Sequence, residues 1–153
     1  DLPMLVICGL YQLFGRSFTT KDSDIIPGIG ILDLETIGGD ERIVGNIIVK
    51  SPEFGEIIGY ENHSGLTTLG QNTTALGDVI KGVGNNNIDG REGVRYRNVI
   101  GTYLHGPLLP KNPHIADWMI SQAIIRKYGA VVLDPLEDKY TEQARNIAKK
   151  RPR

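Results

Sequence analysis

The 153-residue chain has a single cysteine, Cys8. One thiol excludes an internal disulfide framework and a Cys-rich zinc site. An excess of charge of one sign is also missing. The 17 Lys and Arg against 18 Asp and Glu leave a formal net charge of −1, which argues against nucleic acid or an acidic membrane as the main partner. No apolar run reaches the ~18 residues of a membrane span, and Asp1-Leu2-Pro3 is not the start of a signal peptide. A cytoplasmic setting without direct membrane insertion is therefore expected. No GxxxxGK[ST] phosphate loop occurs. His63, His105 and His114 are scattered and give no metal-ligand spacing, so neither a metal nor another cofactor is expected on this chain.

Glycine, by contrast, is abundant at 19 of 153 residues, so many tight turns are expected. The length fits one domain over 1–153, large enough to bury a sizeable core. Pro3 to Cys8 is a short apolar run of the kind that forms a strand buried on both faces. Gly9 follows, then Tyr11, Leu13 and Phe14 at helical spacing. Residues 42–50 and 56–61 read as strands, with a turn predicted at Asn62-His63-Ser64-Gly65. Val79-Ile80 precedes a further turn at Gly84-Asn85-Asn86-Asn87, and 93–97 and 99–104 are strand candidates. After Pro113 the period changes to that of an amphipathic helix over about 115–127, with Arg126-Lys127 in its last turn and Gly129 as its stop. Residues 136–150 predict a charged surface helix around Leu136, Tyr140, Ala144, Ile147 and Ala148, and 149–153 a frayed, solvated tail.

The lone thiol stands where a buried strand ends and a helix begins. That is the geometry of a nucleophile elbow, in which a sharp turn presents the side chain. A helix N-terminus also favours the thiolate. A lone cysteine can equally be an inert residue closing a strand. A second apolar strand delivers His105 at its tip, in Thr102-Tyr103-Leu104-His105-Gly106-Pro107, 97 residues further on. Parallel strands bring reactive groups to one carboxyl edge of a sheet, and a Cys–His pair is the minimum set for acyl transfer through a thioester.

The residues themselves carry a resemblance. Ile7-Cys8-Gly9-Leu10-Tyr11-Gln12-Leu13-Phe14-Gly15 and Gly101-Thr102-Tyr103-Leu104-His105-Gly106 resemble the two catalytic motifs of class I glutamine amidotransferases, in the branch shared with cobyric acid synthases. Arg42-Ile43-Val44-Gly45-Asn46, Gly59-Tyr60-Glu61-Asn62-His63-Ser64-Gly65 and Gly84-Asn85-Asn86-Asn87-Ile88-Asp89-Gly90 are similar to the glutaminase subunits of lipid II isoglutaminyl synthases. The likeness runs from about residue 3 to about residue 130.

This resemblance implies an α/β fold of the class I amidotransferase (flavodoxin-like) type, a three-layer sheet with helices on both faces. It implies that Cys8 attacks the carboxamide carbon of glutamine and that His105 is the general base that then protonates departing ammonia. The Gly9 N–H would serve the oxyanion, and Arg42 would grip the substrate's α-carboxylate with its guanidinium fork. Gln12 would brace the elbow, Asn46 would be a structural hydrogen bonder, His63 a turn residue satisfied by its own loop, and His114 ordinary surface. The implied partner is a synthetase subunit resembling Mur ligases, which would hold ATP and Mg and amidate the D-glutamate α-carboxyl of lipid II to D-isoglutamine.

Three features depart from the family pattern. Pro107 stands where many relatives place a glutamate, so an orienting acid would come from the partner. Leu10 replaces a common second glycine and would crowd the helix or pocket. Cys8 lies near the start of a chain that opens on Asp1, whereas the family's elbow lies mid-domain, so the preceding βαβ units are expected to be missing from these residues, leaving an unpaired sheet edge, poor stability and little activity in isolation. Two other functions stay open at this point: a cobyrinate-type amidotransferase fragment, and a non-catalytic scaffold that binds a partner.

Overall fold

The computed structural model describes residues 1–71 and 73–152. Its elements, in chain order, are β1 (Met4–Ile7), α1 (Gly9–Leu13), β2 (Ser17–Thr19), β3 (Ile25–Pro27), β4 (Leu34–Ser51), β5 (Gly55–Leu69), β6 (Gly77–Lys81), β7 (Arg91–Glu92), β8 (Val94–Tyr96), β9 (Val99–Thr102), β10 (Leu104–His105), α2 (Leu108–Lys111), α3 (Pro113–Tyr128) and α4 (Lys139–Lys150). Among the described residues no helix is long and apolar enough to cross a membrane.

The fold is mixed α/β, with two sheets. The smaller has the order β1-β9-β8, and the larger runs β10-β5-β4-β2-β3 with β6 and β7 branching from β4. Parallel pairing is confined to β1 with β9 and β2 with β4 among the described residues. The rest is antiparallel and centres on the long β4/β5 hairpin, closed by a turn with Gly55 at φ 66°. Strand β9 is buried at all four positions, as its unbroken apolar run requires of a strand packed on both faces. Ile100 enters one core with Ile47, Val49, Ile57, Leu104 and Ile115. Val99 enters the other with Val6, Tyr11, Leu34, Val94 and Tyr103. Each such fully buried side chain contributes about 1.5–3 kcal/mol of transfer free energy.

Several local expectations change. The Asn62-His63-Ser64-Gly65 segment is no turn; it lies inside β5, with His63 buried. The real irregularity is across the ladder, where the β4 register shifts between Gly38 and Ile43. The extra residues bulge out of β4, so the strand partner continues straight. His114 is half-buried rather than ordinary surface. Helix α3 ends as expected, with Gly129 in the left-handed conformation at φ 82°.

Helix α4 begins at Lys139, so Leu136 precedes it, and it docks through a cation and not an apolar stripe. Arg145 is buried, whereas Tyr140 and Ile147 are exposed. Arg145 donates to the Lys111 carbonyl at 2.7 Å, to Asn112 Oδ1 at 2.7 Å and to the Glu56 carbonyl. The following residues do not fray. Lys149 pairs with Glu56 at 2.5 Å, Lys81 Nζ donates to the Arg151 carbonyl at 2.5 Å, and Asn46 Nδ2 donates to the Pro152 carbonyl at 2.6 Å. Free backbone carbonyls past a helix end accept side-chain donors from β4 and β6 here, which sequence periodicity does not encode. Arg153 lies outside the described residues.

Candidate active site

Strand β1 stops at Ile7 because the next residue cannot continue it. Cys8 has φ 55° and ψ −114°, a conformation that L-residues avoid. The backbone on either side is tied down. The Cys8 N–H donates to the Thr102 carbonyl at 3.0 Å, extending the β1/β9 ladder by one residue, and the Cys8 carbonyl accepts from the Gln12 N–H at 3.0 Å, opening α1. A non-glycine residue held in this region stores about 1–3 kcal/mol. The side chain is half-buried, and a side chain built at Gly9 would meet nothing within 4 Å, so the backbone beyond the thiol borders open space. Leu10 is 46% exposed and does not crowd the helix.

His105 reaches the same edge from the neighbouring strand. Ile7 pairs with Thr102, and His105 lies three residues further along. Between them the chain changes sheets: β9 pairs with β1, whereas β10 pairs with β5 through Leu104–Glu61 and His105–Tyr60. The His105 Nε2 is buried without a hydrogen-bond partner among the described residues. Burial, and secondarily the nearby Arg42 cation, lower its pKa below 6.5. The imidazole is therefore neutral at neutral pH, the form that accepts a proton.

Arg42 is exposed on the bulged stretch of β4. Its Nε donates to Asn62 Oδ1 at 2.8 Å, and no carboxylate pairs with it among the described residues. The structure thus sets Cys8 and Gly9 at the end of β1 and His105 three residues past the β9 residue that pairs with Ile7, while Arg42 stands on the bulge of β4.

Beneath this edge is a polar layer that was not foreseen. His63 stacks flat on Tyr103, with ring centroids 3.7 Å apart and 6° between planes. The Tyr103 hydroxyl accepts from Gln12 Nε2 at 3.1 Å and is 2.6 Å from Thr67 Oγ1. Gln12 therefore braces α1 against the β9–β10 segment. Gly65 sits under the same contact, where a Cβ would come within 2.4 Å of Gln12 Nε2 and 2.9 Å of the Tyr103 hydroxyl. His63 Nδ1 lies 2.8 Å from the Gly65 carbonyl, and burial lowers its pKa. Two carboxyl groups are fully buried nearby. Glu61 accepts from the Val83 and Gly84 N–H groups at 3.1 Å, and Glu92 accepts from Thr102 Oγ1 at 2.7 Å and the Tyr103 N–H at 2.8 Å. The Asn-rich turn belongs to this scaffold too, since Asn85 Oδ1 accepts from Tyr11 and from the Gly93 N–H. In the sequence Glu61 looks like an ordinary strand carboxylate and Glu92 like a connecting residue before Gly93, and only three-dimensional burial sets them apart.

Comparison with known proteins identifies the family. The CobB/CobQ-like glutamine amidotransferase domain matches residues 1–113. The chain is 46% identical over 126 residues to the lipid II isoglutaminyl synthase (glutamine-hydrolyzing) subunit GatD of Staphylococcus aureus, covering 82% of this chain and 51% of that protein. The GatD protein of Streptococcus pneumoniae is 37% identical over 131 residues, covering 84% and 50%. A cobyric acid synthase of Pelotomaculum thermopropionicum is 34% identical over 120 residues, covering 69% and 23%. The chain spans about half the length of the GatD proteins it matches. The domain match over residues 1–113, most of its length, places this chain in the CobB/CobQ-like glutamine amidotransferase family.

Proposed function

We propose that this chain carries the glutaminase centre of a lipid II isoglutaminyl synthase. The observation that carries the reading is Cys8 at φ 55° on a strand in parallel register with the strand that leads to His105. Neutral His105 takes the thiol proton as Sγ attacks the carboxamide carbon of glutamine. The oxyanion that forms is met by the Gly9 N–H. As the tetrahedral species collapses, the C–N bond breaks and His105 returns the proton to the leaving nitrogen, releasing ammonia. Water, deprotonated by the same imidazole, then cleaves the thioester to give glutamate and free Cys8. Arg42 binds the substrate's α-carboxylate, for which its unpaired fork is suited.

Ammonia then passes to a Mur ligase-like partner subunit, where ATP and Mg drive amidation of the D-glutamate α-carboxyl of lipid II to D-isoglutamine. The names of the GatD relatives support this acceptor. Pro107 leaves no carboxylate two residues past His105, so the acid that orients the imidazole comes from the partner, and assembly accelerates hydrolysis. The cobyric acid synthase relatives favour a second reading, in which the acceptor is a cobyrinate carboxylate.

The test is glutamine hydrolysis by the complete protein with and without its partner, together with labelling by a diazo-ketone glutamine analogue. An adduct on Cys8 and lipid II-dependent consumption of ammonia are expected. No adduct on Cys8 in the complex would leave only a scaffold, and amidation of cobyrinate but not lipid II would select the second reading.

A further inference from the structure

The chain's change of sheet at Tyr103 needs a partner for backbone groups that leave one ladder before joining the next. Glu92 supplies it. Its Oε1 accepts from Thr102 Oγ1 at 2.7 Å and from the Tyr103 N–H at 2.8 Å. Thr102 Oγ1 in turn accepts from the Leu104 N–H at 3.0 Å. One carboxyl group thus serves, directly or through one hydroxyl, the two successive N–H groups that precede His105. The same Thr102 holds the Cys8 amide through its carbonyl at 3.0 Å. Glu92 is fully buried, and its Oε2 has no hydrogen-bond partner among the described residues. A hydrophobic residue would fill this space without desolvating a carboxyl group, so the group is there for what Oε1 holds.

We propose that Glu92 is a positioning residue for the Cys8–His105 pair, fixing the β9–β10 crossover on which the thiol's amide is docked and from which the imidazole projects. This rests on the glutaminase reading above. It touches no substrate atom; it sets where the base stands relative to the nucleophile, and small misplacements there are costly. Burial raises its carboxyl pKa to about 7, so neutral and ionised forms both occur near neutrality, and either form can accept at Oε1.

The experiment measures glutamine hydrolysis in the complete protein with its partner subunit, for wild type, Glu92→Ala, Glu92→Asp, Glu92→Gln and Thr102→Val. Rates are taken per folded chain, counted by circular dichroism and thermal melting. Asp withdraws the carboxyl by one methylene, and Ala removes it. Both are expected to lower kcat by about 30- to 100-fold with KM for glutamine within about threefold. Gln keeps an acceptor at Oε1 and is expected to restore kcat to within about fivefold of wild type. Thr102→Val removes the hydroxyl that links Glu92 Oε1 to the Leu104 N–H while keeping the Glu92 side chain and its bond to the Tyr103 N–H, and is expected to cost about tenfold in kcat, which decides the matter if the Glu92→Ala and Glu92→Asp proteins do not fold. The proposal is overturned if the folded Ala and Asp variants, or Thr102→Val, keep wild-type kcat, if KM absorbs the loss, or if folded Gln is as impaired as Ala. A wild-type complex that hydrolyses no glutamine overturns the glutaminase reading itself, and this inference with it.

Discussion

Behind the β4/β5 hairpin, Asn112 is fully buried and fully used. Its Oδ1 accepts from the Ile58 N–H at 2.9 Å and from Arg145, and its Nδ2 donates to the Ile58 and Leu108 carbonyls at 2.8 Å. At the strand edge that carries Cys8 the reverse holds. His105 Nε2, His63 Nε2 and Glu92 Oε2 are buried without hydrogen-bond partners among the described residues, and Cys8 is held at a positive φ. The first cluster spends its polar groups on holding α2 and α4 to the sheet. The second leaves buried polar atoms unpaired and stores strain at Cys8, though His114 Nε2 beside the first cluster is also unpaired among the described residues.

Mutations should separate the two regions. Cys8→Ala in the complete protein is expected to lower glutamine hydrolysis by at least ~1000-fold. Cys8→Gly should be equally inactive yet more stable by about 1 kcal/mol, because glycine accepts the φ of 55° without strain. Ammonia release and thermal melting measured side by side check both. Arg42→Ala should raise KM for glutamine by about 100-fold while leaving kcat nearly unchanged, the cost of two charge-assisted hydrogen bonds. Steady-state kinetics that instead show a loss in kcat would move Arg42 from substrate binding into the chemical step.

At the other cluster, Asn112→Ala should cost about 3 kcal/mol in denaturant unfolding, since it strands the Ile58 backbone pair and Arg145. Its kcat per folded chain should stay within about twofold. The smallest effect is in pH. His105 has its pKa lowered by burial and then by Arg42, so the acid limb of kcat/KM should lie below the ordinary imidazole value of 6.5. Arg42→Gln removes the cation and should shift that limb upward.

The parallel pairing near Cys8 was legible from the order of apolar runs. The apolar run into Cys8, the helical spacing after it and the apolar run before His105 predict two parallel strands, and β1 and β9 are parallel neighbours, although His105 itself falls on β10 beside β5. Helix α3 and its Gly129 stop were equally plain, but its expected apolar stripe is not buried as such: Ile115 alone is buried and Ile120 is exposed. What stayed hidden depends on long-range contacts. Asn62 to Gly65 has a turn's composition, but pairing with β4 and stacking of His63 on Tyr103 override local preference. The terminal Lys-Lys-Arg-Pro run reads as solvated because nothing local reveals that Lys81, Asn46 and Glu56 wait opposite it. Arg145 was hidden for the same reason: a buried cation on a charged helix carries no periodic signal.

The thiol and the imidazole belong to different sheets, because the strand carrying one partner ends its pairing at Thr102 and resumes it elsewhere at Leu104. Tyr103, the one residue between β9 and β10, is therefore the joint between the two sheets. That joint is clamped and not left as a free hinge: its ring lies flat on His63 and its hydroxyl is bound to Gln12 and Thr67, so a change at this single side chain would reach both sheets.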